Sequence, residues 1–209
     1  MPDIVAVTAC VRYHDFLDVT LQRNRGFVRD YVVVTTESDV ATREVAERAG
    51  CTVVLVDDGV LTARGAAFNK SALVRAGQRH VHERFPEAWV LLLDADIVLP
   101  AAGLDVTRLD DPSALYSLAR LDYLPDDQGR FELRPEAGAR YMMDFMGFFQ
   151  LYFDKTKLYD EWSHSARACD AAFAERFRRY RMLELPYVAH VFHLGEGNAN
   201  HFGRGEIPG

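Results

Sequence analysis

The sequence has few cysteines and no long apolar run, and both shortages exclude classes of protein. Its 209 residues include three cysteines, Cys10, Cys51 and Cys169, and none forms a Cys-x-x-Cys pair. So sparse and odd a set argues against a disulfide framework and predicts reduced thiols in a cytoplasmic protein. No apolar stretch approaches the roughly 20 residues that cross a bilayer, and the first residues lack the features of a signal peptide. We therefore expect no membrane span.

Basic residues are also in short supply. The 24 Lys and Arg residues are outnumbered by 31 Asp and Glu residues, which gives a net charge of -7. This balance argues against a nucleic-acid binder, which normally presents a basic face. It does not exclude an anionic ligand, because a bound metal ion can reverse the local sign of charge. The chain also lacks a Gly-x-Gly-x-x-Gly motif after a strand, which disfavours a Rossmann dehydrogenase.

What the first half does contain is a regular alternation of two hydrophobic periods. Short apolar runs predict strands, and segments with helical spacing lie between them. The predicted strands are 4–10, 31–36, 51–56 and 89–93, and the predicted helices are 13–25, 39–49 and 68–84. This order indicates βαβ units and a mostly parallel sheet. Because the strands are almost continuously apolar, we expect helices on both faces of the sheet.

The second half is less regular. Apolar runs again predict strands, and residues 120–140 read as a long loop because Asp, Pro, Gly and Arg dominate them. The predicted elements are strands at 114–119, 146–153 and 185–194, and a mainly helical segment at 156–181.

Two carboxylates directly follow the fourth predicted strand. Asp94 and Asp96 are two positions apart, and like charges at the end of a buried strand repel and lose hydration. A divalent ion removes the conflict, since carboxylate oxygens suit Mg²⁺ or Mn²⁺ and such ions often share their shell with substrate phosphates. An isolated Asp-x-Asp more often marks a surface turn. Its place at the carboxyl end of a strand in a βαβ series favours the metal interpretation here.

The segment 91–98 resembles the Asp-x-Asp motif of GT-A glycosyltransferases, especially the family 2 and galactosyltransferase-like groups. The resemblance extends to the first strand, to the second strand through Asp39, and to residues 64–73. It implies an α/β GT-A fold with a mostly parallel central sheet flanked by helices. It further implies a single domain, 1–209, in which 1–110 bind the nucleotide-sugar and 111–209 form the acceptor-binding half and the C-terminal tail.

The resemblance also implies a donor site and a metal site. Asp94 and Asp96 would hold Mn²⁺ or Mg²⁺ with His193 as a third ligand, and His190 is a weaker candidate for that place. In an extended segment residues 190 and 193 point to opposite faces, so both are not expected on one ion. The implied donor-binding residues are Thr8, Arg12, Glu37, Asp39, Arg64, Asn69, Lys70, Asp94 and Ala95. For Lys70, a solvated charge on a helix is the alternative to pairing with a diphosphate.

Asp170 is the candidate for a catalytic base. An inverting transfer needs a base to take the acceptor's proton, and residues 169–177 resemble the stretch in which the family commonly places it. The sequence departs from the commoner Glu-Asp pair, because Cys169 precedes Asp170. A helix cap is the alternative interpretation. Earlier in the chain, Gly147 would allow close approach of the donor, and Asp144 could bond a sugar hydroxyl.

These residues together imply a metal-dependent glycosyltransferase. It would move a sugar, with inversion expected, from a nucleoside diphosphate-sugar to a hydroxyl acceptor. A UDP-sugar is favoured as donor, and a sugar, a lipid-linked sugar or a small molecule as acceptor. One alternative is a sugar-phosphate nucleotidyltransferase, which usually has a glycine-rich loop after its first strand, whereas residues 8–13 contain no glycine. The other is a non-catalytic nucleotide-sugar-binding protein.

Overall fold

The computed structural model describes residues 3–100, 103–123, 141–142, 147–164, 166–183 and 188–191. The α-helices are α1 (His14–Asn24), α2 (Val40–Arg48), α3 (Lys70–Arg84) and α4 (Ala166–Ala174). The strands are β1 (Ile4–Ala9), β2 (Asp30–Thr36), β3 (Thr52–Val56), β4 (Trp89–Leu93), β5 (Ile97–Val98), β6 (Leu115–Ser117), β7 (Arg120–Tyr123), β8 (Tyr141–Met142), β9 (Phe149–Tyr152), β10 (Tyr180–Met182) and β11 (Val188–Val191).

The strands form one large sheet and one small sheet. The large sheet has seven strands in the order β10-β6-β9-β4-β1-β2-β3. Strands β1 to β4 are parallel, β10 is parallel to β6, and β9 is antiparallel to both of its neighbours. The small sheet has four strands in the order β5-β11-β7-β8. This is the α/β architecture with a mostly parallel central sheet that the sequence predicts.

Helices cover both faces of the large sheet, so two apolar cores form. Alternate residues of a strand point to opposite faces, and Val5 and Val7 accordingly pack with Leu73 of α3 and Phe173 of α4. On the other face, Ala6 packs in the core that α1 and α2 cover. The nearly continuous apolar runs of the inner strands are therefore explained by burial on both sides.

Helix α3 lies unusually close to the sheet at Gly77. A Cβ atom added there would overlap the Val7 side chain and come within 2.7 Å of Val34 Cγ2. An alanine in a helix normally stabilises it by up to about 1 kcal/mol relative to glycine. At this position the added methyl group must displace core side chains, which costs about 1–3 kcal/mol.

Gly77→Ala should therefore lower the free energy of unfolding, although helix propensity alone predicts the opposite sign. Urea denaturation of the variant and the parent measures the difference. Gly26→Ala is the matched control, because an added Cβ at Gly26 meets nothing within 4 Å. A stabilised Gly77→Ala variant would contradict the close approach of α3 to the sheet.

The predicted helix over 156–181 is wrong in extent. Among the described residues of this segment, α-helix is limited to Ala166–Ala174, and Tyr180–Met182 is a strand that pairs with β6. In the irregular segment before α4, two backbone N–H groups donate to side chains at the start of α3 and within it. The Tyr159 N–H donates to Gln78 Oε1 at 2.8 Å, and the Ser163 N–H donates to Asn69 Oδ1 at 3.0 Å. A local pattern does not show such long-range partners, which compete with helix formation.

The predicted loop at 120–140 begins with a strand, β7. The rest of this loop lies outside the described residues, and so do Asp144 and His193.

The three cysteines are free. Burial raises the pKa of Cys10 and Cys169 to about 12 and that of Cys51 to about 11, so all three are protonated thiols at neutral pH. Within the described ranges, no helix is long and apolar enough to cross a membrane.

Candidate active site

The Asp-x-Asp segment lies where the chain passes from the large sheet to the small one. It follows β4 and precedes β5, and the turn is closed by the Ile97 N–H, which donates to Asp94 O at 3.2 Å. Between the two acids, the Ala95 carbonyl accepts a hydrogen bond from Thr20 Oγ1 at 2.8 Å. The turn is therefore anchored to α1, and both carboxylates start from a fixed backbone at the carboxyl end of the sheet.

Thr8, near the end of β1, ties this strand to β4. Its buried hydroxyl donates to Leu93 O at 2.8 Å and lies 2.8 Å from the Tyr31 hydroxyl. Both contacts are inside the protein. A direct role for Thr8 in donor binding stays a prediction, and its observed role is to join the strand that precedes Asp94 to the strand beside it.

Asp39 joins the loops that follow β1 and β2. Its carboxylate caps α2 by accepting from the Thr42 N–H at 3.2 Å, and it also accepts from the Arg12 N–H at 2.6 Å and Thr35 Oγ1 at 3.2 Å. The Arg12 backbone has a φ of 62°, a left-handed conformation that is uncommon outside glycine. The two predicted donor-site loops are thus in contact, and Glu37, in the loop after β2, is exposed.

Asn69 organises the segment that leads into α3. Its Oδ1 accepts from the N–H groups of Ala72 and Ser163, and its Nδ2 donates to Val60 O at 3.2 Å. Arg64, five residues earlier, has a φ of 56°. Asn69 therefore holds the start of α3 and the segment before α4 together, which fixes the position of the next residue, Lys70.

Lys70 brings together two acids that are far apart in the sequence. Its Nζ donates to Asp94 Oδ1 at 2.7 Å and to Asp170 Oδ2 at 3.2 Å. The side chain of Lys70 is 11% exposed and that of Asp170 is 9% exposed. The alternative that Lys70 is a solvated helix charge is therefore wrong. The predicted metal ligand Asp94, the predicted donor residue Lys70 and the predicted base Asp170 form one cluster.

The electrostatics of this cluster leave negative charge in excess. Burial disfavours the Lys70 ammonium, but the carboxylates of Asp170 and Asp94 outweigh this and hold the pKa of Lys70 well above its ordinary value. The pKa of Asp94 is raised to about 6 by burial and by the charges of Asp170 and Asp96, which Lys70 only partly offsets. Asp94 and Asp170 thus share one ammonium, and the charge of Asp96 acts on Asp94 as well. Such an arrangement favours a further cation.

The described residues fit a hard divalent ion through Asp94 and Asp96. The side chain of Asp94 is 34% exposed, so it can be reached from outside the protein. Proteins commonly bind Mg²⁺ or Mn²⁺ through one or two carboxylates, and phosphates and waters then supply the other oxygen ligands. No group of three or more His, Cys, Asp or Glu side chains suited to a metal occurs in the described ranges. The third predicted ligand, His193, lies outside them.

Asp170 is held by residues that sequence reasoning missed. Its Oδ1 accepts from the Tyr159 hydroxyl at 2.9 Å, and the Gln150 Nε2 donates to its backbone carbonyl at 3.1 Å. Gly147 lies directly against the carboxylate, and a Cβ atom there would overlap it. The expected role of Gly147, close approach of the donor, is untested, and the observed contact is with Asp170. Tyr159 lies in a segment predicted as helix, so no local signal marked it.

Comparison with solved structures identifies the fold. The chain is similar to glucosyl-3-phosphoglycerate synthase from Mycobacterium tuberculosis in complex with phosphoglyceric acid: 15% identity, TM-score 0.55, with 90% of this chain and 72% of that chain covered. The same synthase with Mn²⁺, UDP-glucose and phosphoglyceric acid gives 14% identity and a TM-score of 0.55, with 90% and 71% covered. A 4-diphosphocytidyl-2C-methyl-D-erythritol synthase gives 15% identity and a TM-score of 0.52, with 88% and 90% covered.

No family model matches the chain, and no characterised protein matches it in a sequence search. At these identities the structural likeness establishes the fold and leaves the reaction open. The fold is the GT-A type of the nucleotide-sugar transferases, as the residues around Asp94 predict.

Proposed function

We propose that this chain is a metal-dependent glycosyltransferase. It would transfer a sugar from a nucleoside diphosphate-sugar, with a UDP-sugar favoured, to a hydroxyl of a sugar, lipid-linked or small-molecule acceptor. The observation that carries the proposal is the meeting of Asp94, Lys70 and Asp170 at the carboxyl end of the sheet. Three separate elements supply these charges, and costly buried charges at a strand end are typical of active sites.

The donor and the metal would occupy the carboxyl ends of β1, β2 and β4. Asp94 and Asp96 would hold Mn²⁺ or Mg²⁺, which supplies Lewis-acid stabilisation for a departing diphosphate. His193, which lies outside the described residues, is the proposed third ligand, and its imidazole nitrogen suits a metal that accepts both oxygen and nitrogen. The residues proposed to line the donor are Thr8, Arg12, Glu37, Asp39, Arg64, Asn69, Lys70 and Ala95.

Asp170 would act as the base of an inverting transfer. The acceptor O–H bond breaks and its proton passes to Asp170 while the acceptor oxygen bonds to the anomeric carbon. The bond from that carbon to the diphosphate oxygen breaks, and its electron pair leaves with the diphosphate. A carboxylate has about four acceptor positions. Lys70 takes one on Oδ2, and Tyr159 and Cys169 approach Oδ1. Within the part of the chain that the structure describes, this leaves one position on Oδ2, where the acceptor hydroxyl would bond.

A donor screen with and without metal tests this function. UDP-, GDP-, dTDP- and CMP-sugars are added with Mn²⁺ or EDTA, and thermal unfolding is followed, because a ligand that binds only the native state raises Tm. We expect one class of donor to raise Tm only with Mn²⁺, and then to support transfer to an acceptor, with the product anomer read by NMR. Phosphoglycerate is included because a structurally similar synthase binds it.

The alternatives give different results. With a nucleoside triphosphate and a sugar phosphate in place of the donor, a nucleotidyltransferase would release pyrophosphate. A binding protein would show the metal-dependent rise in Tm without turnover. Absence of any metal-dependent donor binding would contradict the proposed function.

A further inference from the structure

We propose that Tyr159 and Gln150 are positioning residues for Asp170, and that they give its carboxyl group two hydrogen-bond arrangements, one for each of its protonation states. The proposal rests on the proposed function, in which Asp170 receives a proton. It concerns two buried residues that bond Asp170 and would act through it.

The three side chains form one buried network. Tyr159, Gln150 and Asp170 are all buried. The Tyr159 oxygen lies 2.9 Å from Asp170 Oδ1 and 2.7 Å from Gln150 Oε1. The Gln150 Nε2 donates to the Asp170 carbonyl at 3.1 Å. Strand β9, the segment before α4, and α4 itself are thus joined at Asp170.

The Tyr159 hydroxyl has one hydrogen to donate and two acceptors within reach. Burial and the neighbouring Asp170 carboxylate hold the pKa of Tyr159 well above its ordinary value, so Tyr159 keeps its single hydroxyl proton. That proton faces two acceptors, Asp170 Oδ1 and Gln150 Oε1. The amide of Gln150 cannot turn over to donate, because its oxygen would then face the Asp170 carbonyl oxygen.

Two arrangements follow from this count. When Asp170 is a carboxylate, Tyr159 donates to it. When Asp170 has received a proton on Oδ2, its Oδ1 is no longer charged, and Tyr159 donates to Gln150 Oε1 instead. Each state of Asp170 therefore has its own arrangement of the Tyr159 hydroxyl, and only the hydroxyl hydrogen has to turn. A hydrogen bond to a charged group is the stronger of the two, so the hydroxyl favours the carboxylate whenever Asp170 is ionised.

Tyr159→Phe removes the hydroxyl of Tyr159 and keeps the packing of its ring. The Tyr159 ring stacks on Phe173 at 4.5 Å between centroids, which Tyr159→Phe retains. Tyr152 is a matched control, because it is fully buried, packs against Phe173 at 5.3 Å and has a hydroxyl that accepts from Gln78 Nε2 at 2.7 Å. Tyr152→Phe therefore removes a comparable hydroxyl, whose partners are Gln78 and His82 Nε2 instead of Asp170.

The experiment has a spectroscopic and a kinetic arm on the full chain. The spectroscopic arm follows the ¹³Cγ resonance of Asp170 in aspartate-labelled protein, which is assigned by its loss in Asp170→Asn. It is recorded without donor for the parent, Tyr159→Phe and Tyr152→Phe. We expect it to move in Tyr159→Phe only. With the donor from the screen, Tyr159→Phe should lower kcat by about 10-fold to 100-fold. Losses of about this size are typical when a residue that hydrogen-bonds and orients a functional group is removed. Donor KM should stay within about two-fold of the parent, because the donor itself is not contacted.

The outcomes separate this proposal from the proposed function. Equal resonances in Tyr159→Phe and Tyr152→Phe would overturn the proposal, and so would a moved resonance with unchanged kcat. If the resonance moves in Tyr159→Phe but the parent transfers no sugar, the hydrogen bond to Asp170 is supported and the proposed glycosyltransferase function is overturned. If Tyr159→Phe does not fold, Gln150→Met takes its place, with the same moved resonance and lower kcat expected.

Discussion

Replacing Lys70 with Met should destabilise the fold by about 3–5 kcal/mol, the cost of breaking a buried ion pair from one side. The variant keeps a chain of similar length but leaves the Asp170 carboxylate, 9% exposed, without its ammonium partner. Asp94 loses the same partner while the like charges of Asp170 and Asp96 remain. Urea denaturation of the parent and the variant at neutral pH measures the effect.

Two further variants show whether the cost comes from the buried charge. Lys157→Met removes a partly exposed ammonium that lies 3.9 Å from Asp154, and it should cost less than about 1 kcal/mol. Adding Asp170→Asn to Lys70→Met should restore part of the lost stability, because the uncompensated charge is removed with its partner. A Lys70→Met variant as stable as the parent would contradict the description of Lys70 as the ion that holds the two acids together.

Gly147→Ala should reduce sugar transfer by about 100-fold, because its Cβ would overlap the carboxylate of Asp170. The carboxylate is the mobile partner in this collision, so it should leave its hydrogen bonds with Lys70 and Tyr159. A displacement of about 1 Å of a reacting group can cost about 100-fold in rate. Steady-state kinetics with the donor and acceptor from the screen measure the change in kcat.

A double-mutant cycle provides the control for Gly147. In an Asp170→Ala background the carboxylate is absent, so Gly147→Ala should then have little further effect on the residual rate. An equal loss in both backgrounds would show that Gly147 acts on something other than Asp170.

The inner strands could be predicted because their signal is local. The apolar runs of β1, β2 and β4 are buried on both faces, so nearly every residue in them is constrained. The cap of α2 is local too, since Asp39 directly precedes the helix and accepts from the Thr42 N–H. The Asp-x-Asp segment could be placed at the carboxyl end of the sheet because it directly follows such a strand.

The partners around Asp170 could not be predicted, because they come from segments distant in the chain. Lys70 and Asp94 were both predicted to belong to the donor site, but nothing in the spacing shows that Lys70 also reaches Asp170. The segment with Tyr159 has helical spacing and was predicted as helix. Its backbone instead bonds Gln78 and Asn69 of the α3 region, which tertiary packing alone brings into reach.

The most direct test of the central claim is metal-dependent binding of UDP to the parent and to Asp96→Asn, measured by titration calorimetry with Mn²⁺ or EDTA. If Asp94 and Asp96 hold a divalent ion against the diphosphate, the parent should bind UDP at least about ten-fold more tightly with Mn²⁺, and Asp96→Asn should lose most of that gain. If UDP is not the nucleotide, the diphosphate of the donor found in the screen is used. Equal binding with Mn²⁺ and EDTA, or an unchanged gain in Asp96→Asn, would contradict the account.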